Sequence, residues 1–316
     1  MTTYKEIRGT NIEAVASDPS NPVEGQVWYN TTTNVVKGFI NDPGSWSTGG
    51  SLNTARSSLA GSGIQTAALA FGGLAPPETA VTESYNGTNW TEVNDLNTAR
   101  RLLAGAGTQT SALAFGGFLP PESGITETWN GTNWTETADL NTPRFGLAGC
   151  GASNTSALAI GGFSPSIGRS ALTENWNGSA WTEVNDLNTG RNNLAGCGIQ
   201  TAALAFGGIA PPPSAATESW NGTNWTEVND LNTARSQLTG AGTNTSALAF
   251  GTTAITESWN GTNWTEVNDL NTGRDQSAPA GLNNTSALAG GGDSSSPTTA
   301  TEEWNVGPAT VTFDVS

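Results

Sequence analysis

Residues 96–136 read LNTARRLLAGAGTQTSALAFGGFLPPESGITETWNGTNWTE, and the chain repeats this pattern six times. The Leu-Asn-Thr triplet opens at Leu52, Leu96, Leu140, Leu187, Leu231 and Leu270, so successive starts lie 44, 44, 47, 44 and 39 residues apart. Within the unit, Leu102–Thr108 is small and glycine-rich, and Thr110–Phe115 is an apolar run closed by Gly116-Gly117. Thr126–Trp129 alternates polar and apolar, and Trp134–Thr137 ends at a turn on Asp139. Runs of this length between turn residues are short strands, called a to d here. Asn130-Gly131 between c and d is a hairpin signal, because both residues tolerate the positive φ of a tight turn. It recurs at Asn86, Asn177, Asn221 and Asn260. No stretch sustains a helical period, so the predicted class is all-β.

A period in the low forties with four strands per unit predicts the blades of a β-propeller, with full repeats starting near 52, 96, 140, 187, 231 and 270. Strand a is made of small residues: LAGSG from Leu59, LAGAG from Leu103, LAGCG from Leu147 and Leu194, LTGAG from Leu238. Larger side chains would collide where the strands converge on one axis. Of the twelve Trp residues, five lie on strand c and six on strand d or its equivalent, with Trp28 outside the pattern. Their flat rings are expected to fill the wedge between neighbouring blades.

Residues 1–25 are polar and interrupted by Asp18-Pro19 and Asn21-Pro22, which predicts an attachment arm. The propeller domain is expected over 26–316. Phe39-Ile40-Asn41 followed by Gly44-Ser45-Trp46 mimics Ser84-Tyr85-Asn86 followed by Thr88-Asn89-Trp90, so the chain opens with strands c and d of an incomplete unit. The last unit loses its d pattern after Trp304, and the Trp46 segment is expected to supply it and close the ring, which hides edge strands. Thr310–Val315 competes for the same place.

The unit resembles the kelch-repeat propellers. Their pattern has an Arg opening the inner strand, a double Gly ending the second, a Glu before an aromatic on the third and a Trp on the fourth. Here these are Arg100, Gly116-Gly117, Glu127 with Trp129, and Trp134, with counterparts from about Thr48 to Asn305. Departures are Thr252 after Gly251, Gly290 where other units carry Phe or Ile, and Pro279 in the last strand a. The resemblance implies a six-bladed kelch-like propeller of four-stranded blades. Asp18–Phe39, with its Pro-x-x-Gly-Gln-x-Trp-Tyr-Asn stretch from Pro22, resembles the N-terminal portion of structural proteins of tailed bacteriophages, particularly marine ones. That implies a virion component, assembled in the host cytoplasm in many copies beside other virion proteins.

Composition narrows the function. The net charge is −16, so phosphate backbones would be repelled and nucleic acid is not an expected partner. No apolar run is long enough to span a membrane, and the N-terminus has no hydrophobic signal core. Cys150 and Cys197 occupy equivalent strand-a positions, open either to a bridge or to buried free thiols. With no His there is no imidazole base or metal ligand, so the copper site of galactose oxidase, a kelch-type propeller, has no counterpart. Tyr4, Tyr29 and Tyr85 mark no special pocket of the kind sialidases use, and the carboxylates are repeated. No enzyme, metal or cofactor is expected.

Alternating strand directions place the b–c and d–a loops on one face. The b–c loops vary most: LAPPETA from Leu74, FLPPESG from Phe118, FSPSIGRSA from Phe163, IAPPPSAA from Ile209, a truncated Thr252–Ala254, and DSSSPTTA from Asp293. Variation confined to loops on a repeated scaffold marks recognition, so Pro76, Pro77, Pro120, Pro121, Pro211 and Pro212 are candidate ligand contacts. Arg56, Arg100, Arg144, Arg191, Arg235 and Arg274 enter strand a on the same face. By resemblance to kelch adaptors, this arginine ring would grip an anionic sugar or carboxylate. Otherwise each Arg pairs with Glu83, Glu127, Glu174, Glu218, Glu257, Glu302 or the Asp95 series and braces adjoining blades. The expected function is a phage tail-fibre or appendage adhesin presenting b–c loops to a host glycan or a neighbouring virion protein. The alternatives are a head or neck decoration protein, or a cytoplasmic kelch module using its Arg ring.

Overall fold

The structure, a computed structural model, describes residues 12–23, 25–41 and 43–313. It is all-β, with no helix among the described residues. Contacts divide the chain into two units, Gly44–Asn305 and residues 1–43 with 306–316, and not at residue 26.

In Gly44–Asn305, four-stranded antiparallel sheets follow one another around a ring, consistent with a β-propeller. The reference unit gives Ala104–Thr108, Ser111–Phe115, Thr126–Trp129 and Trp134–Thr137, ordered d-c-b-a. Ala114 pairs with Gly105 on one side and Glu127 on the other. Counterparts begin with strand a at Ala60, Ala148, Ala195, Thr239 and Ala278. In the sheet that starts at Ala278, the outer place beside Thr301–Asn305 is taken by Ser45–Thr48, with Trp46 opposite Trp304. Pro279 lies in that sheet's strand a, the edge strand of the order, where a missing N–H is tolerated.

The core lies between sheets, and strand b explains it. In SALAF and AALAF, period-two alternation puts Ala on one face and Leu with Phe on the other. Leu69 and Phe71 of one sheet join Ala112, Ala114, Trp129 and Trp134 of the next in one buried cluster. The alanines leave room for their own sheet's Trp rings, and the neighbour's Phe meets those rings, 4.9 Å from Phe71 to Trp134 and from Phe115 to Trp181. The d-strand indole N–H then donates to a c-strand Thr hydroxyl of the preceding sheet. The six bonds are Trp46 to Thr256, Trp90 to Thr301, Trp134 to Thr82, Trp181 to Thr126, Trp225 to Thr173 and Trp264 to Thr217, each 3.0 or 3.1 Å.

Strand a is small because inner backbones nearly touch. A Cβ on Gly105 would lie 2.7 Å from the Gly61 carbonyl oxygen, which is backbone and cannot yield. Gly105→Ala is therefore expected to cost about 1–3 kcal/mol in urea unfolding. Cys150 and Cys197 are buried free thiols, and burial pushes the Cys150 thiol up to about 12.

Three expectations are corrected. Phe39-Ile40-Asn41 does not act as a c strand beside Trp46. Val35–Asn41 pairs with Val27–Asn30 and with Pro308–Phe313 in the other unit, so of the incomplete opening unit only strand d joins the ring. The C-terminal strand, described to Phe313, has that partner and not Thr301–Asn305. The c–d hairpins are four-residue loops, not Asn-Gly pairs at positive φ. Gly87 has φ 89°, but the Asn86 side chain instead accepts from the Thr88 and Asn89 amides at 3.0 and 2.9 Å.

Much of the expected arm, residues 1–11 and 24, lies outside the described residues. The rest is not wholly irregular: Glu13–Val15 pairs in parallel with Trp28–Asn30. Asp18 accepts from Trp28 Nε1, Asn30 Nδ2 and Lys37 Nζ at 3.0, 2.7 and 2.7 Å. These donors, Lys37 first, hold its carboxyl down at about 2.

Candidate functional site

The d–a and b–c connections of each sheet meet on one side. Isolated bridges join Ser57 to Leu74, Arg101 to Phe118, Phe145 to Phe163, Asn192 to Ile209 and Asp275 to Asp293. This side carries both sets of candidate residues, and it separates them by depth.

The six arginines lie beneath the surface, at most 4% exposed. Each pairs with the expected glutamate: Arg56 with Glu83, Arg100 with Glu127, Arg144 with Glu174, Arg191 with Glu218, Arg235 with Glu257 and Arg274 with Glu302. Arg100 also donates from Nε to Gly116 O at 3.0 Å and from Nη2 to Ala114 O at 3.3 Å. Arg56 donates to Gly72 O and Ala70 O, both at 3.2 Å, and also to Val81 O. The guanidinium thus clamps both ends of its own b–c connection, while its glutamate accepts from the Leu-Asn-Thr segment. Glu127 takes Asn97 N and Nδ2 at 2.7 and 2.8 Å. Burial depresses the Arg56, Arg100, Arg191, Arg235 and Arg274 guanidiniums, and the adjacent glutamates oppose this.

This is the bracing alternative with one change: the pair lies within a sheet and not across two. A guanidinium this buried is not placed to grip a ligand at the channel mouth. The Asp series caps instead, with Asp139 accepting from Thr126 N at 3.1 Å.

Bonds across sheets come from the backbone. The second glycine of each pair donates to the arginine carbonyl of the next sheet. Gly73 donates to Arg100, Gly117 to Arg144, Gly162 to Arg191, Gly208 to Arg235 and Gly292 to Arg56, at 2.9–3.0 Å. Thr252 donates to Arg274 at 3.0 Å in the sheet that lacks the second Gly, and it accepts φ 74° to do so. Nearer the axis, the residue two past each arginine sits at φ 51–62°. Its amide donates to the equivalent carbonyl of the previous sheet, from Leu102 to Ser58, Gly146 to Leu102, Asn193 to Gly146, Gln237 to Asn193, Gln276 to Gln237 and Ser58 to Gln276. These six residues rim a central pit of about 120 Å³.

Sequence reasoning missed these positions. The signal was present: between the repeated Arg and Leu, the chain reads Ser57-Ser58, Arg101-Leu102, Phe145-Gly146, Asn192-Asn193, Ser236-Gln237 and Asp275-Gln276. The variable surface therefore comprises these dipeptides as well as the b–c loops. Pro76, Pro77, Pro120, Pro121, Pro211 and Pro212 are all exposed at the loop tips, separate from the arginines.

One variable pair is doubly acidic. Asp275 and Asp293 exchange backbone bonds of 3.0 and 2.9 Å, and burial, then Asp293, pushes the Asp275 carboxyl up to about 6. A folded carboxyl that holds its proton more tightly than the unfolded one gives stability that is complete below about pH 4 and is lost as pH rises towards 6. Asp275→Asn is expected to gain about 1 kcal/mol at pH 7.5, the linkage value reduced because the group is half exposed, and nothing at pH 4. Urea unfolding at the two pH values checks it.

No family model and no curated protein matches the chain. Among the described residues, no helix is long and apolar enough to cross a membrane, and no group of three or more metal-binding side chains is present.

Proposed function

We propose that this chain is a non-enzymatic structural and adhesive component of a phage particle, whose ring presents one variable face to a host-surface glycan or to a neighbouring virion protein. The ring is read as a six-bladed, kelch-like propeller closed by Ser45–Thr48. Pairing of that strand with Thr301–Asn305 supports this, as do the three sets of bonds that run through every sheet and return to the first.

The observation that carries the recognition reading is the contrast between layers. Below the surface, the arginine, glutamate, glycine and tryptophan positions repeat almost without change. Above them, on one side, side chains differ from sheet to sheet, which is how a rigid scaffold varies recognition. The repeated glutamates already accept backbone amides, which supports a non-catalytic role. The virion reading is supported by the Pro22–Asn30 stretch and by a compact unit built from the chain ends. Individual contacts of loop tips are weak, and many copies on a particle would supply avidity.

The test is binding of purified protein to a glycan array and to host cells, beside pull-down with purified virion proteins. Binding to a glycan or a virion protein through this face supports the reading, and binding to neither overturns it.

A further inference from the structure

The variable face is uneven in a way the repeat does not explain. Phe118, Phe145 and Phe163 form a contiguous aromatic row, with centroids 5.2 and 5.5 Å apart. They belong to the sheets whose inner strands are Ala104–Thr108 and Ala148–Ser153; elsewhere the residue matching Phe118 is Leu74, Ile209, Thr253 or Asp293. Leu119 and Ile167 stand beside the row, 38% and 51% exposed.

Charge singles out the same sector. Of the eight arginines between Gly44 and Asn305, six are buried in the clamps, and the segment contains no Lys. The two that remain, Arg101 and Arg169, both border the aromatic row. The Arg101 guanidinium lies 5.0 Å from the Phe118 ring centroid, with Nε 3.4 Å from Glu78, and Arg169 pairs with Phe163 across a short hairpin and is exposed. In a chain of net charge −16, every solvent-reachable cation of the ring unit thus flanks one apolar patch. Polar groups complete the margin: the exposed Ser166 hydroxyl, 2.9 Å from that of the buried Ser164, and Asn193, which sits against Gly146 at the axial end.

We infer that this sector is the binding site for a saccharide carrying a carboxylate, a reading that rests on glycan recognition by the variable face and assigns it to one place and one ligand class. The carbon-bound hydrogens of a pyranose suit the half-buried Phe rings, its hydroxyls suit serine and amide groups, and its carboxylate suits guanidinium, which can bind it by two parallel hydrogen bonds. Local cations are also what lets an anion approach so acidic a protein. A peptide partner would call for a free strand edge or a continuous apolar groove, whereas this surface is made of loops and short turns.

The probes are oligomers of galacturonic, glucuronic and mannuronic acid, each beside its methyl ester, titrated against the whole chain by calorimetry or NMR. The expected result is that at least one acid binds, with a dissociation constant on the order of 1 mM, and that its ester binds about tenfold more weakly. Arg101→Gln and Arg169→Gln should each weaken the acid by about tenfold. Higher salt should weaken it too. Leu282→Ser, exposed near the end of the strand Ala278–Asn283, should leave it unchanged, and melting curves of the variants confirm intact folding. Equal binding of acid and ester, or binding untouched by both arginine changes, overturns this site while glycan recognition by the face stands. Binding of no saccharide in the panel or on the array overturns both, and retention of an acidic peptide in their place assigns the sector to a protein.

Discussion

Arg100→Ala is expected to lose about 3–5 kcal/mol of stability, because it leaves the Glu127 carboxylate buried without its cation. Arg100 has no exposed surface, and the clamp it forms holds Gly116 and Ala114 carbonyls as well as Glu127. Removing it uncovers acceptors that water cannot reach, and an unmet buried acceptor costs more than the bond itself was worth. Glu127 keeps its bonds from Asn97, so the Leu-Asn-Thr segment stays tethered while the b–c connection comes loose. Urea unfolding followed by tryptophan fluorescence measures the loss. An arginine kept for ligand contact would instead abolish binding and leave the midpoint in place, which separates the two roles in one variant.

Trp46→Ala should lose about as much, 3–5 kcal/mol by order of magnitude, the usual cost of emptying a buried Trp site. Trp46 is 6% exposed, with ring centroids 5.0 Å from Phe250 and 5.5 Å from Trp304. Its indole N–H donates to Thr256 in the preceding sheet at 3.0 Å. These contacts join a residue near the start of the chain to strands more than two hundred residues later, so the loss reports whether the first strand completes the last sheet. A Trp outside the ring would cost under about 0.5 kcal/mol on removal, the range for surface substitutions. Thermal melting and urea unfolding both read the difference.

What was legible in the sequence follows from which interactions leave a residue signature. Strand b alternates Ala with Leu and Phe because its two faces meet different neighbours, and that period-two pattern is visible without coordinates. The Arg and Glu of the clamp were legible as a pair because both recur in every unit. What favours bracing over ligand contact is burial, which a sequence does not display. The inner ring of amide-to-carbonyl bonds was hidden for the opposite reason: a backbone bond accepts any side chain, so Ser58, Leu102, Gly146, Asn193, Gln237 and Gln276 do the same work with nothing in common. Phe39-Ile40-Asn41 misled because, followed by Gly44-Ser45-Trp46, it mimics Ser84-Tyr85-Asn86 followed by Thr88-Asn89-Trp90, whereas the strand it belongs to pairs with Pro308–Phe313 at the far end of the sequence.

Amide hydrogen exchange at Ser45–Thr48 tests closure of the ring most directly. If this strand completes the sheet of Thr301–Asn305, its amides facing that strand exchange as slowly as those of outer strands Trp90–Val93 and Trp134–Thr137. Exchange of Ser45–Thr48 within seconds, while those outer strands stay protected, would contradict a closed ring.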